Sequence, residues 1–85
     1  MNFLHFNLGQ RPAGAIVRTS LRGSESDVFL VDSMNFSRFK RGESFEYTGG
    51  HFKQSPVTLQ VPHASIWTAV VIPSGRVEAS VEVLG

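Results

Sequence analysis

"IWTAVVIPSGRVEASVEVL", residues 66–84, carries both of the β signatures that decide the fold. Its first part is apolar on both faces of an extended chain. Trp67, Ala69 and Val71 share one side, and Ile66, Val70 and Ile72 the other. A strand of that kind belongs in the middle of a core, covered from both sides. Its second part alternates with period two: Val77, Ala79, Val81 and Val83 point one way, Glu78, Ser80 and Glu82 the other. That is the pattern of a strand with one face in the core and one in water. "PSG" at 73–75 is a Pro-initiated turn, so the two strands are expected to form a hairpin.

The same periods recur along the chain. Leu4, Phe6 and Leu8 alternate with His5 and Asn7, and "AIVRTSLR" is a β-branched run with Arg18 outward. "PVTLQVP" points Val57, Leu59 and Val61 inward, and its two prolines sit at the strand ends, where proline is tolerated. "VFLV", Val28 to Val31, is a second doubly apolar run. "GSES" after Arg22 reads as a turn, Phe45 and Tyr47 as one face of a strand, and Gly49 and Gly50 as the two residues of a tight hairpin. One segment breaks the pattern. "DSMNFSRFKRG" offers Asp32 and Ser33 as N-caps, Phe36 and Phe39 as a stripe, a basic last turn and a glycine stop, hence a helix of about two turns. The expectation is an all-β, mainly β, domain spanning residues 1–85: a single small β-sandwich or flattened barrel of about seven or eight short strands, with one short helix near residues 33–41.

A chain of 85 residues and 9.4 kDa has room for one core. Surface scaling predicts roughly 5,000 Å² of accessible surface once folded. Hydrophobic gain and conformational entropy are then each on the order of 125 kcal/mol and nearly cancel. There is little surplus for an elaborate buried active site. Cysteine is absent, which removes disulfides, thiolate nucleophiles and thiolate ligands and fits a reducing compartment. No basic segment with a long apolar run opens the chain, and no stretch approaches the length of a membrane span, so a cytoplasmic location is expected. The net charge of +1 is far below that of a dedicated nucleic-acid binder.

"MNFLHFNLG", "DSMNFSRFKRG" and "YTGGHFKQSPVTLQVPHASIW", followed by a closing strand, resemble a small bacterial family, domain of unknown function 1883. The resemblance covers essentially the whole chain. It implies a small β-rich domain that occurs alone or joined to a TIR domain, a bacterial signalling or NAD-cleaving module. With the chain ending at Gly85, a TIR partner is expected on a separate polypeptide. The family brings no activity, cofactor or catalytic residue to carry over. Its company implies a recognition or assembly module beside an effector.

The chemistry concentrates in residues 36–53, where Phe36, Phe39, Phe45, Tyr47 and Phe52 are interleaved with Arg38, Lys40, Arg41, His51 and Lys53. Stacking on single-stranded nucleic acid needs exposed rings along a cationic groove. Here the helix stripe must be buried, and Glu43 and Glu46 would oppose a phosphate, so nucleic acid is disfavoured and the rings read mainly as core. No metal spacing such as HExxH appears, although His51 and His63 could meet at one end of a sandwich. Ser55, Ser65, the histidines and Asp32 supply hydrolase residue types without a nucleophile elbow, and no phosphate loop or dinucleotide fingerprint is present. The reading is therefore a non-catalytic module, without metal or cofactor, that recognises a protein or small ligand. Its expected contact surface is Arg38, Lys40, Arg41, His51 and Lys53, with His63. The alternative is self-association, as a homodimer, through edge strands.

Overall fold

The computed structural model describes residues 2–84 and arranges them as two antiparallel sheets and one helix. In chain order the elements are β1 (Leu4–Arg11), β2 (Ile16–Gly23), β3 (Ser26–Asp32), α1 (Ser33–Lys40), β4 (Thr48–Phe52), β5 (Val57–Gln60), β6 (Ser65–Pro73) and β7 (Val77–Leu84). One sheet has the order β1-β6-β3-β4 and the other β5-β2-β7. This is an all-β sandwich, with α1 lying on the outer face of the four-stranded sheet. The accessible surface of 5154 Å² is close to the value scaling predicts.

The doubly apolar runs occupy the two central strands, β6 and β3, because only there is apolar surface needed on both faces. Trp67, Ala69 and Leu30 face the second sheet, where Val17 of β2 meets them, and Leu8 of β1 with Ala15 and Val61 beside β2 and β5 completes the cluster. Val28 and Val71 continue that layer against Val57. On the opposite face, Phe29, Val31 and Val70 pack under Phe39 of α1. The singly apolar strands β2, β5 and β7 make up the outer sheet, with Arg18 and Glu82 paired across its wet side at 3.4 Å. A bulge after Asn7 lets Gly9, at φ 71°, pair with Trp67, and its N–H donates to Asn7 Oδ1 at 2.9 Å.

Helix α1 forms where expected. Asp32 is its N-cap, accepting from the Asn35 N–H at 2.9 Å. At the other end Gly42, at φ 75°, donates to Phe39 O and Glu43 N–H to Arg38 O, which is a Schellman closure.

Three local expectations are overturned. β6 and β7 do not pair with each other; the "PSG" turn carries the chain from one sheet to the other. Gly49 and Gly50 are not a hairpin turn but the middle of β4, opposite Phe29 and Val28. Gly49 is glycine for a different reason: at φ 146°, a Cβ there would lie 2.2 Å from Val28 O and 2.6 Å from Phe29 Cα. Phe45 and Tyr47 are not in a strand. They belong to the irregular segment that returns from α1 to β4.

Candidate recognition groove

The segment between α1 and β4 is held by one buried side chain. Asn35 donates its amide to Asp32 Oδ1 at 3.0 Å and accepts the Glu46 N–H at 2.8 Å. It thereby ties the helix cap to the loop and lays Phe45 and Tyr47 across the outer face of the sheet. Phe45 contacts Phe29 and Phe39, with ring centroids 5.7 and 5.2 Å apart. Tyr47 sits 5.4 Å from Phe29 yet remains 56% exposed, so its ring is a wall rather than core.

Tyr47 divides two clefts. The first, about 250 Å³, is lined by Asp32, Asn35, Glu46, Tyr47, Thr48, Pro62, His63 and Trp67. The second, about 490 Å³, has Phe29, Phe39, Phe45 and Ile72 for its apolar surface and Asp27, Gly50 and His51 at its polar margin. At about 3.3 Å per residue along β3, Asp27 and Asp32 lie about 16 Å apart. Tyr47 lines both, so the clefts adjoin as one bent groove at the start of β4, with Asp27 on the Phe29 face of β3 and Asp32 on the opposite face with its ladder partner Trp67; its centre is aromatic and its ends are polar.

At the Asp32 end, His63 Nε2 lies 3.5 Å from Asp32 Oδ2, and the His63 carbonyl accepts the Trp67 indole N–H at 2.9 Å. Burial pushes the Asp32 carboxyl up, but the bonds from the Asn35 backbone and side chain, together with His63, outweigh it and hold the group below its ordinary range. At the other end His51 is clasped by Asp27 through Nδ1 at 2.8 Å and by Glu25 through Nε2 at 3.1 Å. These bonds, Asp27's first, raise His51 above the usual imidazole value. When protonated, the ring donates from both nitrogens.

Of the expected contact residues, His51 and His63 line the groove, but at opposite ends; they do not meet. Arg38, Lys40, Arg41 and Lys53 line neither cleft. Arg41 is paired with Glu43 at 3.0 Å, and Lys40 stands 4.5 Å over the Phe36 ring. Asp27, Glu46 and Tyr47 went unread as site residues. The alternation that puts Asp27 on the side of Phe29 is visible in the sequence, but its meeting with His51 depends on the β3–β4 register. Among the described residues, no group of three or more His, Asp or Glu is placed to hold a metal ion, and no helix is long and apolar enough to cross a membrane.

Across residues 1–85 the chain matches the family model described as domain of unknown function (DUF1883). The chain belongs to the DUF1883 family. No curated protein and no solved structure matches it. The groove is thus read on the DUF1883 chain's own geometry.

Proposed function

We propose that this DUF1883 domain is a non-catalytic recognition module whose ligand site is the groove divided by Tyr47. The observation that carries the reading is the half-exposed Tyr47 ring, held over an apolar cleft between two polar ends. Concave, mainly apolar surface with a few convergent polar groups is the usual form of a binding site. The module takes a protein segment or a small ligand there. A TIR-domain polypeptide is the partner that the family resemblance implies.

The His63–Asp32 pair is what a hydrolytic reading would build on. Asp32 Oδ1 is already engaged in capping α1, accepting the Asn35 N–H, and its carboxyl is held below its ordinary range. Ser55 Oγ accepts the Leu21 N–H at 2.8 Å, and among the described residues neither Ser55 nor Ser65 is hydrogen-bonded to an imidazole. Self-association through β7, the longest strand of the outer sheet's edges, meets a charge conflict. Antiparallel pairing of two copies about Ser80 would set Glu78 against Glu82.

The test is a titration of the ¹⁵N-labelled protein with a panel of small aromatic compounds and short peptides. Shifts confined to Asp27, Tyr47, Gly50 and His63, and lost in Tyr47→Ala, are expected. A panel that binds elsewhere, or nothing binding at all, overturns the reading.

A further inference from the structure

The groove lies beside an open strand edge. β4 pairs with β3 on one side and, among the described residues, has no strand on the other. An edge of this kind presents unpaired backbone N–H and C=O groups. Proteins commonly guard such edges with charged or bulky side chains, but β4 carries Gly49 and Gly50 at its centre. A Cβ at Gly50 would meet nothing within 4 Å, so the space beside this residue, which lines the apolar cleft, is open.

Charge chooses the occupant. Asp27, with Glu25 behind His51, marks one end of the groove, and Asp32 and Glu46 the other. His51 and His63 are the only cationisable side chains that line it among the described residues. A second copy of the chain pairing antiparallel at β4 would bring one acidic end against the other. A basic strand would find opposite charge at both ends.

We propose that the free edge of β4 takes up an extended basic peptide as an added strand, with an apolar side chain seated in the Phe29–Phe45–Tyr47 cleft. Lysine or arginine side chains on either side of that anchor meet Asp27 and Glu25 at one end and Asp32 and Glu46 at the other. Main-chain hydrogen bonds supply affinity, and the cleft and carboxylates supply selectivity. This rests on the groove being the ligand site, as proposed above, and adds the class of ligand.

The experiment is fluorescence anisotropy with a labelled peptide in which lysines alternate with valines around a central phenylalanine. A control carries glutamate for each lysine, and a second control is N-methylated at alternate residues. The lysine peptide is expected to bind at least about tenfold more tightly than the glutamate peptide, and to weaken between about 50 and about 200 mM salt as surface charge is screened. Asp27→Asn with Glu46→Gln should lose about tenfold in affinity while circular dichroism shows the domain still folded, and the N-methylated peptide should not bind. Equal binding of the glutamate peptide overturns the charge assignment, and undiminished binding of the N-methylated peptide overturns strand addition. No binding of the lysine peptide, or a concentration-dependent dimer by light scattering that Gly50→Lys abolishes, overturns the proposal as a whole. If small aromatic compounds still shift Tyr47 when the lysine peptide does not bind, the groove reading survives and only the ligand class fails.

Discussion

Two adjacent glycines in β4 do different jobs, and single substitutions separate them. At Gly49 the backbone is in a region side chains rarely adopt, and a Cβ would collide with β3 main chain that cannot yield. Gly49→Ala is expected to cost about 3 kcal/mol or more. Gly50→Ala should change stability by less than about 1 kcal/mol, since the space is open. Urea unfolding of the pair measures the contrast, and equal losses would refute it. In the outer sheet, the buried Thr19 hydroxyl finds no partner among the described residues. Thr19→Val should stabilise the domain by about 1 kcal/mol. His51 offers a third reading at this scale. Its imidazole should titrate above about 6.5 by NMR and fall back when Asp27 and Glu25 become amides. Because its folded value is raised, the stability it lends is fully present below about pH 6.5 and lost as pH rises through the folded midpoint. The sequence offered Gly-Gly only as a turn signal, because a tight turn and a close backbone approach select the same residue type. Which of the two is at work depends on what lies across the ladder.

At the scale of elements, α1 was legible to within a residue, since its cap, stripe and glycine stop are all local signals. The loop after it was not, because its anchor is Asn35, a polar residue whose partner Glu46 N–H is brought near only by the fold. Asn35→Ala would leave that N–H and Asp32 short of a partner. A loss of about 2 kcal/mol is expected, together with lost shifts at Tyr47 on ligand titration. Asp32→Ala should cost about 1–2 kcal/mol through the cap. The depressed Asp32 carboxyl also gives the helix an acid limit. Its contribution is present above the ordinary carboxylate value of about 3.9 and is lost as pH falls through the lower folded value. Circular dichroism of the wild type and Asp32→Asn between neutral and acid pH would show it as a narrowing gap in melting temperature.

For the whole molecule, period and turns gave strand number and the two buried central strands, but not the pairing. "PSG" announces a reversal of direction, which serves a hairpin and a change of sheet equally well; only the competition of all faces for one core decides. The groove was illegible for the same reason, since its rings come from β3, α1 and the returning loop. What the pairing does set is speed. β1 pairs with β6 and β2 with β7, so most ladders join distant parts of the chain. Stopped-flow refolding followed at Trp67, which is 3% exposed, is expected in the millisecond-to-second range of non-local β proteins. A microsecond phase carrying the full amplitude would refute that.

The β1–β6 ladder also has a bearing on synthesis. Phe6 leaves the ribosome well ahead of its partner Ala69. Until β6 emerges, the four-stranded sheet has no centre: β3 lacks its inner neighbour, and β1 has nothing to pair with. Chains stalled after β5 should therefore be captured by chaperones and cut readily by protease, whereas extension through β6 should bring protection abruptly rather than strand by strand.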